Sequence, residues 1–228
     1  MSSLVPGSSA GLRESLGSAA VAAGPADVLG AGLVAAYLQH VPDPDLVGID
    51  AATLAATVGA HLALGRTRAP GEHLLRVVPP GALPGVGGDG SALALLVTDD
   101  RPFLVDTITM ELTRQDWSVR RLFHPQLRVS RDAEGRLAEL VAGADGLPES
   151  WIAVEIYPPL GEAADLLADT LVAGLLRVLD AVAVVVDDWQ PMLARARSAV
   201  AELQADPGAE AAEAVALLEW LASDNFLF

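Results

Sequence analysis

A strand, an acidic turn and a helix follow one another without interruption near the middle of this sequence. Ala92 to Val97 is an apolar run of strand length, and Thr98-Asp99-Asp100-Arg101-Pro102 then turns the chain. From Phe103 to about Gln115 apolar residues recur at helical spacing, and a proline in the first turn costs no hydrogen bond there. This unit predicts a mixed fold built around a sheet.

Further strand patterns lie on both sides of that unit. The predicted strand segments are Leu74 to Val78, Ser118 to Arg131, Arg136 to Ala142 and Trp151 to Tyr157. Asp132-Ala133-Glu134-Gly135 predicts a hairpin turn, and a long helical stretch starts at Glu162. The order of strand, helix, strand pair, strand and helix predicts an α+β sheet with helices on one face.

Periodicity and composition also predict the parts that flank the sheet. Residues 1–25, rich in Ala, Gly and Ser, are expected to be a disordered lead-in, and residues 26–70 to hold two short helices, Ala26 to His40 and Asp50 to Leu64. Residues 71–186 form the predicted α/β domain. The β-branched run from Ala181 to Val186 fits a helix or the closing strand of the sheet, and we favour the helix.

Residues 187–228 are predicted to form a helical hairpin that leads to a missing downstream region. Its helices are Trp189 to Gln204 and Ala209 to Ala222, separated at Asp206-Pro207-Gly208. The sequence then stops at Asn225-Phe226-Leu227-Phe228, and two aromatic residues at a bare terminus suggest truncation.

Composition excludes several kinds of chemistry. The 14 basic residues are all arginine, so no lysine Schiff base, lysine general base or P-loop lysine is available, and the absence of cysteine removes thiolate chemistry. The net charge of −16 repels phosphate backbones and anionic lipids, so neither nucleic acid nor membrane is an expected partner. The cytoplasm is the expected location.

The remaining motifs have ordinary structural interpretations. Gly85 to Gly90 matches GxGxxG but follows two prolines and leads into a strand, so we interpret it as a glycine loop and not as a dinucleotide site. The four histidines lack metal-ligand spacing: His40, His61, His73 and His124. Paired aspartates at turns are expected to be helix caps, and no serine lies in a nucleophile elbow. The sequence therefore predicts no catalytic, cofactor-binding or metal-binding residue in this segment.

Two levels of resemblance then become visible. The stretch TDDRPFLVDTI, from Thr98 to Ile108, is similar to the opening of an ACT domain. Together with LFHPQLRVSRD, ESWIAVEIY, DDWQPM and ALLEWLASDNFLF, it resembles the amino-terminal region of the large NAD-specific glutamate dehydrogenases of bacteria, in one order from about Tyr37 to Phe228.

The resemblance implies an ACT-like (ferredoxin-like) sheet and a role in a larger enzyme. That family converts L-glutamate, NAD and water to 2-oxoglutarate, ammonium and NADH on a catalytic domain far downstream. The resemblance thus implies a cytoplasmic homo-oligomer in which this segment regulates or assembles the enzyme, with NAD bound elsewhere. Its expected partners are the downstream catalytic domain and the other subunits.

ACT domains commonly bind an amino-acid effector at the loop after the first strand, where a glycine lets the ligand approach. The resemblance makes Asp99, Asp100, Arg101 and Phe103 the candidate effector residues. Phe103 occupies the position that matches the glycine, so its side chain is expected to fill the ligand space and favour a packing role. The alternative is a free-standing amino-acid sensor that uses the same residues.

Overall fold

The chain divides into two units. The computed structural model describes residues 9–24, 28–39, 41, 46, 49–143, 145–205, 208 and 211–225. The first unit comprises residues 1–100 and 108–176, and the second comprises residues 101–107 and 177–228. The predicted helices of residues 26–70 therefore belong to the same unit as the sheet. Among the described residues, no helix is both long and apolar enough to cross a membrane.

The first unit is built on a six-stranded antiparallel sheet. Its strands are β1 (Leu74–Val78), β2 (Ala92–Asp99), β3 (Ser118–Phe123), β4 (Gln126–Arg131), β5 (Leu137–Leu140) and β6 (Leu147–Tyr157). The order is β1-β2-β6-β4-β5, and β3 also pairs with β6. The extended segment predicted from Ser118 to Arg131 is thus interrupted at residues 124 and 125, because Pro125 has no N–H to give to a ladder.

The strand beside β2 comes from an unexpected part of the chain. In a β-α-β-β-α-β unit the last strand closes the sheet. Here β1 precedes the unit and pairs antiparallel with β2, with Leu74 opposite Val97. Ala181 to Val186 lies within a helix, as we favoured, and does not join the sheet.

The helices are α1 (Ser9–Ala23), α2 (Val28–Gln39), α3 (Ala51–Gly65), α4 (Leu104–Arg114), α5 (Ala164–Ala205) and α6 (Ala211–Trp220). A π-helical turn, Leu221–Asn225, follows α6. Asp50 caps α3 by accepting a hydrogen bond of 2.9 Å from the Thr53 backbone N–H.

Side chains are buried on both faces of the sheet. One face contributes Leu95, Val97 and Trp151 to a core that also contains Tyr37 of α2 and Val58 of α3. The other face is equally buried, and so are apolar residues of α4 and α5: Ile108, Leu112, Leu171 and Leu175. The predicted α+β, ACT-like sheet is confirmed. Within the first unit, α4 from Ile108 onward and α5 up to Leu176 lie on one face, and the N-terminal helices cover the other.

The disordered lead-in predicted for residues 1–25 is wrong over most of its length. Residues 9–23 form α1, whose Leu16 and Ala20 are buried in the same core. The alanine content that suggested low complexity favours a helix, and small residues let helices approach closely. A Cβ on Gly24 would lie 3.2 Å from the Cβ of Ala55 in α3. Residues 1–8 and 25 lie outside the described part.

The second unit contains the later part of α5, and α6. The predicted boundary between residues 186 and 187 falls inside α5, which continues through Pro191 to Ala205. The helix predicted from Trp189 to Gln204 is therefore a continuation of α5. Of the predicted turn at residues 206–208 only Gly208 is described, and Phe226 to Phe228 lie outside the described residues.

Candidate functional site

The turn after β2 was the predicted effector site, and its first residue is paired inside the first unit. Asp99 accepts a hydrogen bond of 2.5 Å from Nη2 of Arg68. Arg68 is almost completely buried and also donates from Nε to Oε1 of Glu149 at 3.0 Å. Asp99 is therefore one member of an ionic cluster.

Glu149 lies at the centre of that cluster and is completely buried. Arg131 binds it in a bidentate manner, from Nε at 2.7 Å and from Nη2 at 2.9 Å, and Trp151 Nε1 donates to it at 2.9 Å. Burial alone would raise the pKa of Glu149, but these hydrogen bonds and the guanidinium charges of Arg68 and Arg131 hold that pKa below its usual value. Glu149 is therefore ionised in the folded protein.

The cluster connects segments that are far apart in sequence. Arg68 follows α3, Arg131 ends β4, Asp99 ends β2 and Glu149 lies in β6. Two guanidinium groups balance two carboxylates, and a buried charge is tolerated only when it is paired in this way. Asp99 thus has a structural role: through Arg68 it connects the end of β2 to Glu149 of β6.

Asp100 lies in a second network, which contains a serine, a histidine and an aspartate. Ser150 Oγ donates to Asp100 Oδ1 at 2.6 Å, and His124 Nε2 lies 2.9 Å from the same Oγ. In a hydrolytic triad the histidine takes the serine proton, whereas here that proton is directed to the aspartate. Ser150 is also completely buried, so its oxygen cannot meet a substrate. The geometry is that of a structural network.

Arg101 and Phe103 belong to the second unit. Arg101 Nη1 is hydrogen-bonded to Asp187 Oδ1 of α5 and lies 3.4 Å from the carbonyl oxygen of Ala183. The arginine of the turn is therefore engaged by α5.

Phe103 adopts the backbone conformation that normally requires glycine, with φ of +69°. It occupies the position at which the resemblance to ACT domains expects a glycine. Its side chain is 43 % exposed and lines an apolar hollow of about 380 Å³ together with Val178, Val182, Val185 and Trp189. The substitution thus places an aromatic ring where a glycine would leave space.

The four candidate residues are therefore divided between the two units. Asp99 and Asp100 belong to the first, and Arg101 and Phe103 belong to the second. Each of the three charged residues already has a partner within its own unit. Effector binding at these residues stays a prediction.

The glycine loop leads into β2, as the sequence indicated, and not into a helix. A Cβ on Gly85 would lie 1.8 Å from Thr53 Oγ1, so close contact with α3 requires glycine there. Within the described ranges, no three His, Asp or Glu side chains come together in a way that could hold a metal ion.

Sequence reasoning missed the residues whose partners are distant along the chain. Nothing in the sequence indicated that Arg68 and Arg131 bind a buried carboxylate, because each lies in a segment where an exposed arginine is common. His61 was predicted to lie on the apolar side of its helix and to lack metal-ligand spacing, but its partners were not predicted. It is completely buried between the Tyr37 hydroxyl, which donates to Nδ1, and the carbonyl oxygen of Leu96, which accepts from Nε2 at 2.8 Å. Its position on the apolar side of α3 was the available sign of burial.

The strand order, the helix after β2 and the Asp-Arg-Pro turn define the class as an ACT-like α+β domain. Residues 33–171 match the model of the family described as glutamate dehydrogenase, ACT1 domain. The chain belongs to this family.

Three curated relatives share part of this chain, and each is named NAD-specific glutamate dehydrogenase. The protein of Halomonas elongata is 39% identical over 140 residues, which cover 57% of this chain and 8% of the relative. That of Pseudomonas aeruginosa is 38% identical over 138 residues, with the same two shares. That of Mycobacterium tuberculosis is 28% identical over 181 residues, covering 75% of this chain and 11% of the relative. The chain thus spans about a tenth of these relatives.

Proposed function

We propose that this chain is a non-catalytic regulatory or assembly segment of an NAD-specific glutamate dehydrogenase. The match of residues 33–171 to the ACT1 domain carries the proposal. The enzyme would convert L-glutamate, NAD and water to 2-oxoglutarate, ammonium and NADH. Turnover and NAD binding would take place in another part of the same polypeptide.

The internal use of charged side chains supports a non-catalytic role. Glu149 and Ser150 are completely buried, and Asp99 and Asp100 are paired with the protein itself. The chain also has no lysine and no cysteine with which to form a covalent intermediate. Under this proposal its partners are the catalytic domain and the other subunits of a cytoplasmic homo-oligomer, and its influence on turnover is allosteric.

The proposal is tested by removing this segment from the full-length enzyme. We expect deletion of residues 33–171 to change the oligomeric state, measured by light scattering after gel filtration, or the response of the initial rate to amino-acid effectors. The matched control is the R128Q variant of the full-length enzyme, which changes an exposed arginine of the same segment without shortening the chain. It should keep the wild-type oligomeric state and effector response. An intact oligomer with an unchanged effector response in the deletion variant would contradict the proposal.

A second measurement addresses the non-catalytic role directly. The 228-residue chain alone, mixed with L-glutamate and NAD, should produce no NADH absorbance above a protein-free control. Measurable glutamate oxidation by the chain alone would contradict the proposal. Titration calorimetry of the chain with amino acids tests the alternative of a free-standing sensor. A sensor should give binding heats with a Kd in the micromolar to millimolar range.

A further inference from the structure

A groove in the first unit, away from the turn after β2, has the composition of a binding site. Its volume is about 270 Å³, close to the lower end of the range of about 300–1,000 Å³ for pockets that hold drug-sized molecules. The N-terminal turn of α3, the glycine loop and β3 form its walls, with Asp50, Thr53, Gly87, Arg120 and Arg121 among the lining residues. The groove is large enough for a small molecule only.

The bottom of the groove is apolar. Leu54, Val86, Leu93 and Phe123 line it, and all four side chains are buried in the hydrophobic core. Small-molecule sites typically combine such a floor with a few polar groups that fix the orientation of the ligand. The floor of this groove therefore suits an apolar body rather than a fully charged one.

Two guanidinium groups line the same groove. Arg120 Nη1 lies 3.2 Å from Glu155 Oε2 and 3.1 Å from Asp89 Oδ2, and Arg121 Nη1 lies 3.3 Å from Glu155 Oε1. Within the described part of the chain, both arginines donate hydrogen bonds from Nη1 alone, so their Nε and Nη2 have no hydrogen-bond acceptor. These two atoms form the edge of a guanidinium that binds a carboxylate through two parallel hydrogen bonds.

The acidic residues of the lining limit the charge of the ligand. Asp89 accepts hydrogen bonds from Ser91 Oγ at 2.6 Å and from the Tyr157 hydroxyl at 2.7 Å, and these contacts hold the pKa of Asp89 well below its usual range. Among the described residues of the lining, Asp50, Asp89 and Glu155 face two arginines, which leaves one negative charge in excess there. Each of these carboxylates is already engaged by donors of the protein, Asp50 by Thr53 and Glu155 by the two arginines, so an ammonium ligand gains little from them. The excess charge opposes a dianion such as phosphate more strongly than a single carboxylate that bonds to a guanidinium edge.

We propose that this groove binds a small molecule that carries one carboxylate on a short apolar body. The carboxylate would occupy the Nε and Nη2 edge of Arg121 or Arg120, and the apolar body would lie on Leu54, Leu93 and Phe123. The inference does not depend on the proposed function, because it rests on the groove alone.

The test uses the 228-residue chain labelled with ¹⁵N and titrated with 3-methylbutanoate, with amide shifts as the readout. We expect saturable shifts at Gly85, Gly87 and Gly88 with a millimolar Kd. The amine of the same skeleton, 3-methylbutylamine, should produce no saturable shift at these glycines, and succinate should bind more weakly than 3-methylbutanoate. Equal binding of the amine, or no saturation by the carboxylate at millimolar concentrations, would overturn the proposal.

Variants add a second, independent readout. Either R121Q or R120Q should weaken carboxylate binding at least tenfold, because a hydrogen bond between charged groups is lost. R128Q makes the same change at an exposed arginine of β4 outside the groove and should bind as the wild type does. Unchanged affinity in both R121Q and R120Q would overturn the proposal. If a variant fails to fold, the comparison of carboxylate with amine on the wild-type chain decides the question.

Discussion

The buried imidazole of His61 should make the stability of this protein fall steeply in mild acid. Burial lowers the pKa of His61 to about 4, against about 6.5 in an unfolded chain. Between these two values the unfolded chain binds the proton and the folded protein does not. The free energy of unfolding therefore decreases as pH falls from about 6.5 to about 4, and it is recovered as pH rises again.

The size of the effect follows from the pKa difference. One pKa unit corresponds to about 1.4 kcal/mol, so the two values differ by an equivalent of about 3 kcal/mol. About 2.5 kcal/mol of this should already be lost between pH 7 and pH 4.5. A typical domain has a total stability of only about 5–15 kcal/mol, so the loss is large.

The perturbation that isolates this contribution is H61Q. Glutamine does not titrate, and its amide N–H can still donate to the carbonyl oxygen of Leu96. We expect H61Q to be less stable at neutral pH, because the Tyr37 contact is disturbed, yet its stability should fall by about 2.5 kcal/mol less than that of the wild type between pH 7 and pH 4.5.

Urea unfolding followed by tryptophan fluorescence at a series of pH values measures the difference, since Trp151 packs against His61 with ring centroids 5.0 Å apart and ring planes tilted by 41°. H73Q is the matched control, because His73 is only partly buried and bonds to the hydroxyl of Thr98 at 2.6 Å. H73Q should keep most of the wild-type pH dependence. Identical pH dependence in H61Q and the wild type would show that His61 does not cause the loss of stability in acid.

Three further predictions test other features of the fold. F103G should have a free energy of unfolding about 1 kcal/mol higher than that of F103A, measured by urea unfolding, because alanine has a Cβ at a φ of +69° and glycine does not. Equal stability of the two variants would argue against that backbone conformation. E149Q should cost about 3–5 kcal/mol and lower the Tm, because Arg68 and Arg131 lose a buried anion; a change below 1 kcal/mol would contradict the ionic cluster. G65A should destabilise by about 1–3 kcal/mol, because its Cβ would lie 2.3 Å from Cη2 of Trp151, and an unchanged Trp fluorescence spectrum and Tm would speak against this contact.

The parts of the fold that depend on local chemistry were predictable from the sequence. β2 and α4 followed from an apolar run, a proline and helical spacing within one short segment, and β6 followed from the alternation after Trp151. Ala181 to Val186 was favoured as a helix, and it lies in α5. These elements can be predicted because the pattern of neighbouring residues alone determines them.

The parts that depend on distant partners were not predictable in the same way. Arg68 and Glu149 lie 81 positions apart, and nothing near either residue indicates the other. Residues 9–23 looked disordered because their composition is simple, yet Leu16 and Ala20 are buried in the core. The groove containing Arg120 required the glycine loop and α3 to meet at Gly85, which no periodicity reveals.

The position of β1 has a practical consequence for dissecting this protein. A fragment that starts at residue 79 would keep every element of the βαββα order and would look like a complete domain by its motifs. It would nevertheless leave the backbone N–H and C=O groups of β2 uncovered between Leu93 and Val97. It would also lack α1, α2 and α3, whose apolar residues share one core with one face of the sheet. Bare strands pair with other chains and aggregate, so insolubility of such a fragment would report the lost strand and helices and not a misfolding sequence.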